Sequence, residues 1–202
     1  TDSRVYDNLP PNFKVIQVPV SKRLWFLSYR NAVNFNLYDL IILNDVVAAY
    51  TAGLFFSKKI LSKSIMLLHG SEPENIFINP NVLRKATLFK RIYMRTLNNT
   101  FLIIAVSEFM KSKFLKLTKL NYLSNKIEVL YNFIDHKVFF PKKDKEFKLS
   151  LGLMEDSFLL ISVSRLVFDK GYLEMINIFE KLLMNTDVNY YWLIVGDGKD
   201  RV

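Results

Sequence analysis

Two cations five residues apart, Arg165 and Lys170, share one loop between an apolar run and a helical pattern. The run 159–163 has the composition of a strand, Ser164-Arg165-Leu166 ends it, and Lys170-Gly171 opens the helical pattern 172–184. A turn after a strand, cations, and a helix start with free backbone N–H groups are what an α/β protein needs to hold a phosphate. Arg165 and Lys170 are therefore candidates to converge on one diphosphate, although an Arg and a Lys in one loop are ordinarily just solvated. A second run, 190–195, ends in Gly196-Asp197-Gly198. It reads either as a tight turn beneath a nucleotide or as a plain strand-ending turn. His69 and Gly70 close another apolar run, which places His69 either in a ligand cleft or as a loop histidine with a satisfied hydrogen bond. Glu72 and Glu74 follow, as acceptor contacts or, more simply, as solvated loop residues.

Several other chemistries lack their residues. Gly196-Asp197-Gly198-Lys199-Asp200 has neither the spacing nor the Ser or Thr of a Walker phosphate loop. No Gly-x-Gly-x-x-Gly follows an early strand, so a dinucleotide-dependent dehydrogenase is unsupported. Two histidines, His69 and His136, without a cysteine argue against a zinc site. The missing cysteines suit a reducing compartment, and the cytoplasm is the default location. The longest mainly apolar stretch, 46–56, falls short of the roughly 20 residues that span a bilayer, and no signal peptide precedes it.

The net charge of +9 implies attraction to something anionic. Between residues 75 and 127 the only acid is Glu108, against Arg84, Lys85, Lys90, Arg91, Arg95, Lys111, Lys113, Lys116, Lys119 and Lys126. Within this block Val82, Ala86, Phe89, Tyr93 and Leu97 recur at helical spacing with cations between them. Such a helix could lie on an anionic membrane surface, or it could be a solvated face of a Lys-rich protein. Nucleic acid ranks low as a partner, because aromatics at helical spacing read as core or interface rather than as a stacking platform.

The elements that must position these residues follow a regular alternation. Strand-length apolar runs occur at 14–20, 38–43, 64–68, 101–106, 127–130, 158–163 and 190–195, most with little polar alternation, as in strands buried on both faces of a parallel sheet. Helical patterns fall at 23–36, 46–59, 81–98, 108–120 and 172–184. Repeated βαβ units predict a doubly wound α/β architecture with ligands along the carboxyl edge of the sheet. Asp45 and Ser107 stand on that edge but read first as helix N-caps. A charged stretch around Pro141-Lys142-Lys143-Asp144-Lys145-Glu146 is the best linker. It divides the chain into an amino-terminal portion (1–140), a linker and entry segment (141–157) and the start of a second α/β portion (158–202).

Taken in order, these pieces resemble family 4 glycosyltransferases of the GT-B type. That family's second domain has a Gly-Arg-Leu turn, a Lys-Gly pair and a strand ending in Gly-Asp-Gly. Here they are matched by Ser164-Arg165-Leu166, Lys170-Gly171 and 191–198 at similar spacing. Upstream, 126–135 resembles the family's strand and Asn-Gly-Val-Asp segment, and Phe139-Phe140-Pro141 its Phe-x-Pro with one residue fewer. His69-Gly70 and Ala105-Val106-Ser107-Glu108 resemble first-domain landmarks, so the likeness covers residues 38 to 202. Each piece is weak, and the ordered set is specific.

The resemblance implies a GT-B-like fold of two Rossmann-like domains, both incomplete in this chain, the first on the acceptor side and the second binding nucleotide sugar. It implies a retaining hexosyltransferase that moves a sugar from a UDP- or GDP-linked donor to a glycan or lipid-linked acceptor, without a metal, in bacterial surface polysaccharide synthesis. The enzyme would work in the cytoplasm, on the inner face of the membrane. In this reading Arg165 and Lys170 stabilise the leaving diphosphate, His69 meets the donor sugar, and Ser164, Gly171, Gly196 and Gly198 shape the nucleotide site.

Ser164 replaces the family's first glycine and Phe133 the glycine after Asn132, which puts the donor turn in question, because glycine permits close approach and positive φ. The family's two glutamates with seven residues between them do not occur, and the glycine-rich loop after the first strand is missing, the first glycine being Gly53. The expectation is a piece of a longer protein. Two other readings stay open: a non-catalytic nucleotide-sugar-binding subunit and a sugar-nucleotide epimerase.

Overall fold

The computed structural model describes Val15 and residues 33–142 and 145–201. The expected strand at 14–20, Val15 apart, and the expected helix at 23–36 up to residue 32 lie outside the described residues. Two compact units divide the chain, Thr1–Phe133 and Ile134–Val202.

In the first unit the short runs rich in Ile and Leu form β1 (Ile41–Leu43), β2 (Ser64–Leu68), β3 (Leu102–Ala105) and β4 (Ile127–Val129). They pair in that order and always parallel, with Ile42 opposite Ile65, Met66 opposite Ile103, and Ile104 opposite Glu128. Parallel neighbours require crossovers, and helices supply them. These are α1 (Val46–Phe55), α2 (Lys58–Leu61), a π-helix at Pro73–Ile78, α3 (Val82–Ala86), α4 (Phe89–Asn99) and α5 (Glu108–Thr118). The α/β class with a parallel sheet is the one expected of a Rossmann-like domain.

Helix starts follow the side chains expected to cap them. Asp45 Oδ1 accepts from the amides of Val47 (2.6 Å) and Ala48 (2.8 Å), and Ser107 Oγ from that of Met110 (3.1 Å). Two expected helices are each broken in two. The pattern 46–59 stops at Phe56, where Ser57 Oγ caps α2 through the Ile60 amide. The pattern 81–98 breaks at Leu88, which takes a left-handed conformation with φ 51°. Hydrophobic spacing continues across both breaks, so periodicity could not reveal them.

The break redirects the basic stripe. Phe89, Tyr93 and Leu97 of α4 are buried in the core with Met66, Leu68, Ile103 and Phe114, whereas Val82 and Ala86 of α3 are exposed. The apolar stripe read as one amphipathic face is thus core from Phe89 onward. What reaches the surface is Val82, Leu83 and Leu88.

Helix α1 crosses α4 closely. A Cβ on Gly53 would stand 2.5 Å from the Ile92 carbonyl oxygen and 2.6 Å from Thr96 Oγ1. Thr96 donates to the Ala49 carbonyl (2.7 Å), and the Arg95 guanidinium donates to the carbonyls of Gly53 and, at 2.7 Å, Phe56. Gly53→Ala is expected to cost about 1–3 kcal/mol through overpacking against backbone that cannot move aside. Urea denaturation of the whole protein measures it, and an unchanged midpoint would remove this contact from the account.

The second unit contains α6 (Lys145–Ser150), β5 (Phe158–Val163), a 3-10 turn at Phe168–Lys170, α7 (Tyr172–Met184) and β6 (Tyr190–Val195). Helix α6 falls within the stretch read as linker, and Lys148 ties it to the start of β5 by donating to the carbonyls of Glu155 (3.0 Å) and Ser157. β5 and β6 are parallel from Phe158 opposite Tyr190 to Val163 opposite Val195. Trp192 fixes α7 on this ribbon, since its ring lies 6.2 Å from Tyr172 and 5.6 Å from Phe179 and its Nε1 donates to Ser162 Oγ (3.0 Å).

Candidate functional site

Past the ends of β5 and β6 the two segments stay laced together. The Ser164 amide donates to Val195 O (3.1 Å), the Leu166 amide to Asp197 O (2.9 Å), and the Asp200 amide to Leu166 O (3.2 Å). Asp200 Oδ2 accepts from the Phe168 amide at 2.8 Å. The Ser164-Arg165-Leu166 and Gly196-Asp197-Gly198 segments therefore form one paired platform at the carboxyl edge. Gly196 and Gly198 are glycine for a local reason, because a Cβ on either would run into the carbonyl oxygen of Ser164 or of Leu166 respectively. Close backbone approach between the loops accounts for both glycines without reference to a ligand.

Ser164 fits the turn. Its φ is not positive, Leu88 and Lys119 being the only positive-φ residues other than glycine among those described. Its hydroxyl donates to Arg165 O (3.2 Å), which uses its one hydrogen, so at the 2.9 Å contact between the two hydroxyls Tyr172 is the donor. The serine thereby joins the turn to the first residue of α7. Gly171 does require its glycine, since it sits at φ 71° and leads into α7, which has no side-chain cap. The first amides of that helix are left for water or an anion. Arg165 and Lys170 are exposed, and among the described residues neither has a side-chain hydrogen bond or ion pair. The second unit thus brings Ser164, Arg165, Lys170, Gly171, Gly196 and Gly198 to one edge, while His69 stands in the first unit.

There His69 follows β2 and lines an open cleft of about 420 Å³ with Asp45, Val46, Val47, Gly70, Ser71 and Glu72. Its loop is held from several sides. Buried Glu72 accepts from the backbone amides of His69 (2.8 Å) and Gly70 (2.7 Å), and Lys113 of α5 donates to Gly70 O (2.9 Å). Lys113 also pairs with Glu74 at 2.7 Å, and this hydrogen bond holds the Glu74 carboxyl below its usual range. The His69 ring meets Asn44, with Nε2 at 2.7 Å from the backbone carbonyl and 3.2 Å from Oδ1. Beneath the loop the Tyr93 phenol is pushed well above its ordinary value by burial and by the charge of Glu72.

Sequence reading placed Glu72 and Glu74 as solvated or acceptor-facing residues. The structure makes Glu72 an internal brace and Glu74 the partner of Lys113, a residue far along the chain. The Glu74 pairing has no local signature, whereas the Glu72 bonds reach only two and three residues back along the chain. Among the described residues no group of three His, Asp or Glu could hold a metal ion.

A four-stranded parallel sheet with helical crossovers, and loops presented at its carboxyl edge, define a Rossmann-like α/β protein. Residues 4–138, well over half of the chain, match the Glycosyltransferase Family 4 profile, and the chain belongs to that family. It is also similar to the N-acetyl-alpha-D-glucosaminyl L-malate synthase of Bacillus anthracis, at 25% identity over 154 residues, 76% of this chain and 37% of that protein. The chain thus spans little more than a third of the length of the relative it matches.

Proposed function

We infer that this chain is part of a glycosyltransferase that moves a sugar from a nucleotide diphosphate donor to a glycan or lipid-linked acceptor, with retention and without a metal. The observation that carries the reading is the paired platform at the edge of β5 and β6, where two cations, unpaired among the described residues, lie in the loop that leads to the uncapped start of α7. As the glycosidic bond to the diphosphate breaks, negative charge collects on the leaving phosphate. Fixed cations and helix amides lower the energy of that state, because they are already oriented when the charge develops. Arg165 and Lys170 stabilise the leaving group, Ser164, Gly171, Gly196 and Gly198 shape its seat, and His69 meets the donor sugar. Family membership, matched over residues 4–138, supports glycosyl transfer in general.

The name of the Bacillus anthracis relative puts an N-acetylglucosaminyl group on malate, and this favours a second acceptor class, a small hydroxy acid. The test incubates the full-length protein with UDP- and GDP-linked sugars, each with glycan, lipid-linked and hydroxy-acid acceptors, and identifies products by mass spectrometry and anomeric configuration. A glycoside of retained configuration is the expected product. Donor turnover without acceptor glycosylation would instead indicate the epimerase, and donor binding without turnover the non-catalytic subunit.

A bacterial surface polysaccharide would be the destination of the lipid-linked product, which places the acceptor at the inner face of the membrane. Among the described residues no helix is long and apolar enough to cross a membrane. Support for peripheral binding comes from exposed Val82, Leu83 and Leu88 beside the exposed cations Lys85, Lys90 and Arg91. Apolar side chains among cations suit an anionic lipid surface. Flotation with vesicles containing phosphatidylglycerol should recover the protein at low salt and progressively less as salt rises. No flotation at low salt would remove the membrane from the reading.

A further inference from the structure

The start of α7 has no side-chain cap, and Gly171, which leads into it at φ 71°, offers no side chain to fix it. Helix amides stabilise a developing anion only if they already hold one direction relative to the turn beside them. Something other than a cap must set that direction. At the end of β5, Ser162 and Ser164 are two residues apart and share a face, while Ile161 and Val163 between and before them are exposed. Each serine receives an aromatic donor. Trp192 Nε1 donates to Ser162 Oγ at 3.0 Å, and the Tyr172 hydroxyl to Ser164 Oγ at 2.9 Å. The two rings are also stacked, with 6.2 Å between centroids and 25° between planes.

Tyr172 is the first residue of α7, so its ring rests on β6 and its hydroxyl on the turn that ends β5. Stacking sets a distance but lets a ring slide and turn, whereas a hydrogen bond is directional. Ser164 Oγ in turn donates to Arg165 O (3.2 Å), which links the start of α7 to the residue that carries one of the two cations.

We propose that Tyr172 is a positioning residue whose hydroxyl, through Ser164, holds the uncapped amides of α7 and the Arg165 turn in one orientation toward the diphosphate. It touches no substrate itself. The proposal rests on the donor-binding reading above and adds to it the part that keeps the seat aligned. One consequence is peculiar to this chain. Serine is needed at 164 because Tyr172 requires an acceptor there, so glycine, the residue of the family pattern, weakens the site instead of restoring it.

Tyr172→Phe keeps both ring contacts of the side chain and removes only its hydroxyl. In calorimetric titrations of the full-length protein it should bind UDP or GDP, whichever the wild type binds, about 3- to 10-fold more weakly, the worth of one hydrogen bond. Uridine or guanosine affinity and the melting temperature should change little. Ser164→Gly should show the same loss, and the double variant no more than the larger single loss, because the two residues share one bond. Wild-type affinity in Tyr172→Phe overturns the proposal, as do losses that multiply in the double variant. An equal loss for nucleoside and nucleoside diphosphate overturns it too, since a merely loosened unit would weaken both. Hydrogen exchange read by mass spectrometry follows the start of α7 without any nucleotide. Peptides over residues 172–178 should exchange about 5-fold faster in Tyr172→Phe and in Ser164→Gly than in the wild type. Unchanged exchange overturns the proposal. A wild type that binds neither UDP nor GDP, but whose α7 start loosens in both variants, supports the brace and overturns the functional reading.

Discussion

Replacing Arg165 with alanine is expected to lower kcat for sugar transfer by about 100- to 1,000-fold, the loss seen when one preorganised donor to a developing anion is removed. Lys170→Ala should fall in the same range. The argument is local. Both side chains are exposed and unpaired among the described residues, so truncating them removes no structural contact, and their effect on melting temperature should be small. KM for the donor should rise less than kcat falls, since the charge to be stabilised is greatest in the transition state. The double variant should lose less than the product of the two single losses, because the two cations act on one leaving group. Turnover at the wild-type level in both single variants would remove their assigned role. Chelation with EDTA should leave the rate unchanged, and a collapse restored by a divalent cation would show that a metal shares this charge.

The second large effect concerns backbone. Gly198→Ala places a Cβ against the Leu166 carbonyl, and Gly196→Ala places one against that of Ser164. Neither obstacle is the far end of a flexible side chain, so the lacing between the two loops must open. The bonds at risk are Leu166 N to Asp197 O and Asp200 N to Leu166 O, which hold Arg165 and Lys170 on one platform. Each substitution is expected to cost about 3 kcal/mol, the upper end for overpacking, and to abolish nucleotide binding by a route distinct from charge. Calorimetric titration with UDP and GDP, together with thermal unfolding, distinguishes the cases. Arg165→Ala should melt normally and bind weakly, whereas Gly198→Ala should do neither. A Gly198→Ala protein with unchanged melting and unchanged nucleotide affinity would show that the loops are not packed as described.

The Ser164 anomaly illustrates how far sequence carries. A serine in place of glycine raises doubt as long as the position is assumed to need positive φ or a bare backbone. The structure shows that it needs neither, and that the close approach falls instead on Gly196 and Gly198 across the ladder. Which member of a facing pair must be glycine depends on register and twist, and these exist only once two strands have met.

Hydrophobic alternation and strand-length runs determine the order of β and α elements here, because burying an apolar run in a parallel sheet imposes a pattern that any reader of the chain can see. The same holds for the caps at Asp45 and Ser107, whose bonds reach only two or three residues along the chain. The candidates Arg165, Lys170 and Gly171 are named from a strand end, a turn and a helix start alone, whereas the sugar role of His69 is what the family resemblance implies. Tertiary structure alone decided the rest. The break at Leu88 turns one apparent amphipathic helix into a core helix and a surface helix, because packing against β2 and β3 overrides periodicity. The reach of Lys113 to the Gly70 carbonyl, its ion pair with Glu74 and the contact of the His69 ring with Asn44 depend on residues far apart in sequence. Their energies come from distance and desolvation, and neither quantity is written in a linear chain.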